Sequence, residues 1–269
     1  MASWLKRGCA GCRLAGTVVL LTLLIDLIPL AAQAERQFNS SEDDRKITYG
    51  AETDFNSAYV WRGIVLNNRP VMQPSLWISA YGTTLTAWSN LALTNLSGSP
   101  RLQTTDLILT HGRDWKKLKI ESTLEAYLNR RPGDIDGRNT IEGSLKLSYT
   151  AGRFRIFTIQ SFDILTYKGS YFGEAGAGYE RRVTNRTSFA VSFRSGWASS
   201  KFHTAYIGVN KPAINFVGAE GSFTRYLNRY LYLQPHFEFS NIVDRELRQQ
   251  LPRPTFISFG LAIGMEFSK

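Results

Sequence analysis

Residues 256–267 read F-I-S-F-G-L-A-I-G-M-E-F, and this stretch decides the fold. Every second residue from Ile257 to Phe267 is large and apolar, while the residues between them are small or polar. A period of two predicts a β-strand. One uniformly apolar face backed by small or polar residues is typical of a strand with lipid on one side and a hydrated interior on the other. We therefore interpret this stretch as the closing strand of a transmembrane barrel.

Eleven earlier stretches show the same alternation. In residues 117–129, for example, leucine and isoleucine alternate with lysine and glutamate. A soluble antiparallel sheet with one wet face gives the same pattern in a single strand. Twelve strands in a row favour an all-β fold, namely a transmembrane antiparallel up-and-down β-barrel of 12 strands. The predicted strands are residues 48–62, 71–81, 83–93, 102–111, 117–129, 141–149, 153–162, 170–181, 187–197, 214–224, 230–240 and 256–267.

The connections between these strands predict how the barrel is oriented. A thirteenth apolar run, residues 202–209, would make the strand count odd, whereas bacterial single-chain barrels have even counts. We therefore place residues 202–209 in an excursion between the ninth and tenth strands, although a strand there is the open alternative. With both termini in the periplasm, the periplasmic turns are short and the outward loops are longer, as expected of outer-membrane barrels.

The N-terminus has the features of a secretory signal. Basic residues precede a mostly apolar run at residues 14–30, and a small-residue site ends at Ala34. We expect residues 1–34 to be a signal peptide cleaved between Ala34 and Glu35, residues 35–47 to be a flexible lead-in, and residues 48–269 to form the barrel. A transmembrane anchor is the rival interpretation of the apolar run. Cys9 and Cys12 both lie in the segment that cleavage would remove.

The charge of the chain is basic, but its distribution matters more than its sum. The whole chain carries +10, and removal of Lys6, Arg7, Arg13 and Asp26 with the signal peptide leaves +8. The surplus lies mainly in the predicted outward loops, where bases can pair with phosphates of the outer leaflet. We therefore expect outer-membrane lipid and lipopolysaccharide as partners, together with the barrel assembly machinery, and no nucleic acid.

The polar strand faces supply the candidates for lining the interior. Such rows of mixed charge either form cross-strand ion pairs that stabilise the wall or create a field that selects small polar solutes. Acids are at least level with bases on these faces, and weak ion selectivity is expected. The lumen-lining candidates are Glu52, Asp54, Arg62, Trp77, Trp88, Lys119, Glu121, Glu125, Glu142, Lys146, Glu174, Arg194, Glu220, His236 and Glu238.

Arg62 stands out among these candidates because it precedes Gly63 at the end of a predicted strand. It is the best candidate for a residue at the rim or at a constriction. The alternative is an arginine that only fixes a loop.

Enzyme chemistry is not favoured by the sequence. The chain has three histidines but no G-x-S-x-G nucleophile elbow, and no histidine pair lies at metal-ligand spacing. We therefore expect no enzyme activity and no cofactor. An outer-membrane lipid hydrolase is a minor alternative.

One stretch resembles a known family. Residues 57–64 read S-A-Y-V-W-R-G-I, followed by P-V-M-Q-P at residues 70–74 and A-W-S-N at residues 87–90. This resembles the N-terminal third of the TorF-type porins, whose members carry a similar aromatic-Arg-Gly-Ile turn, and the resemblance covers residues 48–95. It implies a porin-like barrel in the outer membrane of a Gram-negative-type bacterium. Passive diffusion of small hydrophilic solutes is the expected function, and a non-conducting structural or adhesion-type barrel is the alternative.

Overall fold

The computed structural model of the protein describes residues 46–94, 101–129 and 138–268. The predicted signal peptide and all of the lead-in except Lys46 and Ile47 lie outside the described residues. Within these ranges, neither of the two helices is long and apolar enough to cross a membrane.

Twelve antiparallel strands close into one barrel, which confirms the predicted fold class and strand number. The ring closes where β1 pairs with β14 on one side and with β4 on the other. The barrel strands are β1 (Thr48–Asn56), β4 (Val71–Ala80), β5 (Thr83–Ala92), β6 (Leu102–Trp115), β7 (Leu118–Asn129), β8 (Thr140–Ala151), β9 (Phe154–Asp163), β10 (Tyr171–Thr184), β11 (Thr187–Ala198), β12 (Ala213–Tyr226), β13 (Leu231–Ile242) and β14 (Thr255–Ser268). A separate hairpin consists of β2 (Tyr59–Trp61) and β3 (Ile64–Asn67), and two helices are α1 (Ser200–Tyr206) and α2 (Arg245–Gln250).

The outer side of the barrel is apolar, as the alternation of the closing strand predicts. In β14 the side chains of Ile257, Phe259 and Met265 are exposed, whereas Ser258 and Ala262 are buried. Large exposed apolar side chains recur on every barrel strand except β13, with Phe259 63% exposed. Such a surface is stable only against lipid, so the strands span a membrane. The prediction of a multi-pass barrel in an outer membrane agrees with this fold.

Small residues on the inner face of β14 make room for aromatic rings from its neighbour. The ring of Tyr232 on β13 lies over Gly264, where an added Cβ would collide with it. Tyr232 is only 3% exposed, and its hydroxyl donates a hydrogen bond to Glu52 on β1. The glycine therefore lets the closing strand bury an aromatic ring beside the seam between β14 and β1.

The first predicted strand, residues 48–62, is wrong in length. β1 ends at Asn56. The Ser57 amide still donates a hydrogen bond to the Phe259 carbonyl, and after Ser57 the chain leaves the barrel wall. Tyr59 and Trp61 keep the period of two because they belong to a second strand, β2, which pairs with β3. Their apolar side chains therefore face other parts of the protein instead of lipid.

Residues 202–209 lie in an excursion between the ninth and tenth barrel strands, β11 and β12, as predicted, and they begin as a helix. α1 is capped by the side chain of Ser199, which accepts a hydrogen bond from the Phe202 amide. α2 lies in the next long connection, where the Asp244 side chain caps Glu246 and Leu247. Both helices lie at the end of the barrel opposite to the start of β1 and the end of β14. We call the end that carries the helices the long-loop end and the other end the short-turn end.

Candidate channel constriction

The β2–β3 hairpin reaches across the interior of the barrel. It leaves the wall between β1 and β4, yet the Arg62 side chain at its tip contacts Glu142 on β8 and Phe172 on β10. β8 and β10 are each five strands from β1 around the closed ring of twelve. The tip therefore extends to the wall opposite its origin.

The turn at the tip requires the Arg-Gly pair. Arg62 and Gly63 both have positive φ, 51° and 80°, which is the backbone of a tight two-residue hairpin turn. A Cβ on Gly63 would lie 2.6 Å from the Cβ of Phe216 on β12. Gly63 therefore has two roles: its backbone can adopt the positive φ of the turn, and its lack of a side chain lets the backbone approach the wall closely.

Polar groups of the wall hold the tip in place. The Asn215 side chain donates to the Arg62 carbonyl at 2.8 Å, and the Ser240 hydroxyl donates to the Gly63 carbonyl at 3.2 Å. Both partners are buried, which makes these hydrogen bonds costly to break. The hairpin is therefore anchored through its backbone as well as through Arg62.

The guanidinium of Arg62 forms a two-pronged ion pair with Glu142. Nη1 donates to Oε2 at 3.0 Å, and Nη2 pairs with Oε1. The two side chains are only 12% and 9% exposed. The guanidinium carbon also lies 4.6 Å from the Trp61 ring centroid and 4.4 Å from that of Phe172. Arg62 thus fixes a loop, one of its two predicted roles, and it does so inside the barrel.

A hydrophobic cluster covers the hairpin at the long-loop end. Trp61 lies 4.9 Å from Tyr206 and 5.8 Å from Phe202, measured between ring centroids. This cap could not be predicted from the sequence because its members come from separate loops and strands. Its buried members are Ile64, Phe172, Ala198, Phe202, Ile207, Phe216, Ile242 and Leu247.

A lysine ties the two helices of the cap together. The Lys211 ammonium, after α1, lies 2.9 Å from Asp244 and 3.0 Å from Glu246 at the start of α2. Their hydrogen bonds raise the pKa of Lys211 and lower that of Asp244. These are exposed pairs and contribute little stability each.

His203 makes the cap sensitive to pH. Its ring is fully buried, and Nδ1 lies 2.6 Å from the Lys211 carbonyl, to which the neutral ring donates. Burial lowers the pKa of His203 below its usual 6.5, although the hydrogen bond to the Lys211 carbonyl and the charge of Asp244 both act to raise it. When pH falls below about 6.5, an unfolded cap binds a proton that the folded cap excludes. The cap is therefore at full stability above that pH and loses stability as pH falls toward the lowered pKa.

Hydrogen exchange of the α1 amides tests this effect. After correction for intrinsic rates, protection should fall between about pH 7 and pH 5 in the wild-type chain. His203→Gln keeps a donor for the Lys211 carbonyl but does not titrate, so its protection should not depend on pH. The same pH dependence in both chains would contradict the assignment to His203.

Arg194 forms a second buried centre with an excess of acid. It projects from β11 and pairs with Glu220 on β12, with Glu238 on β13 at 2.7 Å and with Glu174 on β10 at 3.6 Å. One arginine thus faces three carboxylates. All four residues are predicted from the sequence for the lumen face, but strand alternation does not indicate that they meet at one point.

A series of hydrogen-bonded side chains, one histidine followed by asparagines and glutamines, runs along the wall near the base of the hairpin. It links strands β13, β1, β4, β5 and β6 and ends at Asn67 on β3. Of the residues in and beside this series, only His236 and Asp54 are predicted from the sequence to line the lumen, and the two side chains lie 3.4 Å apart. The successive contacts are His236–Asn56 at 3.0 Å, Asn56–Gln73 at 3.0 Å, Gln73–Asn90 at 3.0 Å, Asn90–Gln103 at 2.7 Å and Gln103–Asn67 at 3.3 Å.

The interior is more basic toward the short-turn end. Lys119 on β7 pairs with Glu121 at 2.6 Å, and Lys146 on β8 lies 3.8 Å from the same carboxylate. The Lys146 ammonium also lies 5.7 Å from the Phe157 ring centroid. Charge therefore changes along the barrel, from acid-rich near the hairpin to mixed and basic farther down.

The remaining sequence candidates have defined neighbours. Trp77 is buried against Gly50, and Trp88 lies 5.8 Å from Tyr59 of the hairpin. Glu125 accepts a hydrogen bond from the Tyr127 hydroxyl at 3.0 Å. That all fifteen candidates line a passage stays a prediction. Among the described residues, no group of three or more His, Cys, Asp or Glu could hold a metal ion.

Comparison with known proteins bears on the fold alone. No protein-family model matches the chain, and no curated protein matches it. The structure is similar to that of the NanC porin, with a TM-score of 0.50 and 9% identity over 81% of this chain and 98% of that chain. A KdgM porin in complex with disordered oligogalacturonate matches with a TM-score of 0.46 and 10% identity over 82% and 99% of the two chains. The TorF-type resemblance therefore stays a prediction, and the chain shares the barrel fold of porins.

Proposed function

We propose that this protein is a porin-like outer-membrane channel for small hydrophilic solutes, narrowed by the β2–β3 hairpin. A barrel of twelve strands is wider than the eight-strand barrels that side chains alone can fill, and narrower than the open porins. The space inside is therefore large enough for a hydrated passage unless a loop occupies it. Here one loop does enter it.

The observation that carries the proposal is the polar inner wall. Charged and amide side chains follow the interior from Asp163 near the long-loop end to Lys119 near the short-turn end. A barrel that only served as a structural plug could fill this space with apolar side chains at lower cost, since buried ion pairs are often no more stabilising than hydrophobic packing. Rows of fixed charge are what a water-filled channel needs to pass polar solutes.

The charge near the hairpin favours cations. Arg62 and Arg194 are both engaged by carboxylates, and further acids on neighbouring strands include Asp106 and Glu125. The narrowest part would therefore present a negative field. The sequence predicted only weak ion selectivity. A count of charges over whole strand faces adds the acid-rich part near the hairpin to the more basic part toward the short-turn end, and so hides the difference between them.

Planar bilayer recording of the refolded chain tests both parts of the proposal. We expect single-channel steps, and a reversal potential in a KCl gradient that indicates preference for K⁺ over Cl⁻. The double variant Asp106→Asn and Glu125→Gln should reduce that preference. Glu246→Gln, which removes an exposed carboxylate on α2, is the matched control and should leave it unchanged.

Each part can fail separately. A barrel that folds but gives no steps would overturn the channel, and a reversal potential toward Cl⁻ would overturn only the cation preference. The anchoring of the hairpin tip to β8, β12 and β13 favours a second candidate, a non-conducting structural barrel. Absence of conductance in both the wild-type chain and a chain without the hairpin would support that candidate.

A further inference from the structure

Three arginines line a pocket at the short-turn end of the barrel, far from the hairpin. Arg182 lies near the end of β10, Arg186 in the turn between β10 and β11, and Arg229 in the turn between β12 and β13. This arginine pocket has a volume of about 420 Å³, and none of the described residues that line it is acidic. The proposed channel function does not use it. Its other lining residues are Asn185, Tyr226 and Asn228.

The arginine pocket opens on the inner side of the barrel rim. On β10, Arg182 shares the strand face of Glu174, which meets Arg194 in the interior. On β12, the ring centroid of Tyr226 lies 5.6 Å from that of the buried Tyr232. Because side chains alternate between the two faces of a strand, Arg182 and Tyr226 face the interior. A ligand of this pocket therefore comes from the aqueous side of the rim and not from the bilayer.

The two turns that carry the pocket are joined and ordered. The Tyr226 amide donates to the Arg186 carbonyl at 2.8 Å, which connects the first turn to the second. The Asn228 side chain accepts hydrogen bonds from the amides of Tyr230 and Leu231, both at 2.8 Å, and so fixes the second turn. An anionic partner therefore meets arginines on a backbone that it does not have to order.

The chain carries an acidic segment next to this end of the barrel. Residues 42–44 read E-D-D, and they precede Thr48, where β1 begins at the short-turn end. Asp44 lies four positions and Glu42 six positions before Thr48. An extended chain spans about 3.3–3.6 Å per residue, so these acids reach about 13 to 22 Å from the start of β1.

The arginine pocket lies within that reach. Around the closed ring, β13 is two strands from β1 and β11 is four. At about 4.8 Å per strand, the pocket is roughly 10 to 20 Å from Thr48 along the rim. Arg45 and Lys46 follow the acids and are nearer to β1, next to which β14 carries Glu266 opposite Gly50. The order of charges before β1 therefore complements the order of charges around the rim.

We propose that the acidic segment, residues 42–44, docks on the arginine pocket and so covers part of the short-turn mouth of the barrel. Guanidinium groups stay charged at all physiological pH values and give carboxylates paired hydrogen bonds. Three arginines face three acids, so docking neutralises the excess positive charge of the pocket. The proposal rests on the barrel fold and does not depend on conduction.

Disulfide trapping in the refolded chain tests the proposal. Cys9→Ser and Cys12→Ser remove both cysteines of the sequence, and Asp43→Cys is then combined with Asn185→Cys in the pocket. The matched control combines Asp43→Cys with Lys117→Cys, an equally exposed position in the β6–β7 turn that is one strand nearer to β1. Tethering alone favours the control pair. We nevertheless expect the pocket pair to cross-link roughly tenfold faster under mild oxidation.

Charge variants of both partners test whether the arginines are responsible. In the pocket pair, Arg182→Gln, Arg186→Gln and Arg229→Gln together should slow cross-linking roughly tenfold, the combined effect of three partly exposed ion pairs. Glu42→Gln with Asp44→Asn leaves the barrel wall untouched and should slow it roughly fivefold. Heat-modifiable migration on a gel checks that each chain has folded.

The outcomes separate the proposal from its rivals. Faster cross-linking of the pocket pair, slowed by the charge variants of either partner, would support it. Equal rates for the pocket pair and the control pair would show that the acidic segment has no preferred position, and rates unaffected by the charge variants would show that the arginines do not hold it. Slower cross-linking in sodium phosphate than in sodium chloride of equal ionic strength would show a site for free phosphate. Each of these three results overturns the proposal.

Discussion

Replacing residues 57–70 with a two-residue Asn-Gly turn should leave the barrel closed and raise single-channel conductance several-fold. Asn56 on β1 pairs directly with Val71 on β4, so the two strands are already in the register that a two-residue hairpin turn connects. The deleted segment contains the whole β2–β3 hairpin. Its removal therefore empties the interior at the level of Arg62 without breaking the wall.

The expected gain follows from where the hairpin lies. Trp61, Arg62 and Ile64 occupy space inside the barrel between β1 and the opposite wall. Conductance depends on the narrowest part of a pore, so removing the part that crosses the interior has a larger effect than changing any single side chain of the wall. Planar bilayer recording measures the change, and heat-modifiable migration on a gel checks that the barrel has formed.

Two variants show whether the hairpin itself is responsible. Arg69→Gln changes an exposed base in the same connection and should conduct like the wild-type chain. Gly63→Val keeps the full loop but places a branched side chain at φ 80° and against Phe216, so it should detach the tip and raise conductance in part. If neither the deletion nor Gly63→Val changes conductance, the hairpin does not narrow the path.

Arg194→Gln should destabilise the folded barrel by about 3–5 kcal/mol, the cost of removing one partner from a buried ion pair. The arginine is the shared cation of Glu174, Glu220 and Glu238, and its side chain is 16% exposed. Without it, three carboxylates on neighbouring strands repel one another and lose their charged hydrogen-bond donor. Denaturant unfolding of the refolded chain in detergent measures the change.

The carboxylates supply the controls for this prediction. Glu238→Gln removes one of three acids while Arg194 keeps the other two, so it should cost far less than Arg194→Gln. Adding Glu220→Gln and Glu238→Gln to Arg194→Gln should recover part of the loss, because fewer uncompensated charges then stay buried. An Arg194→Gln chain as stable as the wild type would show that water or counter-ions, and not the arginine, compensate these acids.

Most of the barrel wall could be predicted from the sequence. The pairing of β7 with β8 places Glu121 opposite Lys146, two residues already assigned to the polar faces of their strands. Such predictions succeed because a strand alternates its side chains between two faces by local geometry alone. The same local rule explains the error in the first strand, since Tyr59 and Trp61 show the same alternation whether they belong to a hairpin or to the barrel wall.

The site depends on contacts that no local pattern contains. Arg62 and Glu142 are 80 positions apart, and Asn215 lies 153 positions from the carbonyl that it holds. The sequence identified Arg62 as a candidate because Gly63 follows it, but it predicted a position at the end of the first barrel strand. The hydrophobic cap was missed because its members are single apolar residues scattered over long connections and strand ends, and one apolar residue at such a position does not by itself indicate burial.

The sequence by itself determined the lipid face and the closing strand at residues 256–267, because each depends on a period of two within one segment. The strand number needed in addition the even count of bacterial barrels, which excluded residues 202–209. Only the tertiary structure decided that the first loop turns inward and that Arg194 gathers three carboxylates. Those outcomes depend on which segments meet after the ring closes. Closure brings β8, β10, β12 and β13 around one hairpin, and their separation along the chain leaves no trace in the alternation of any single strand.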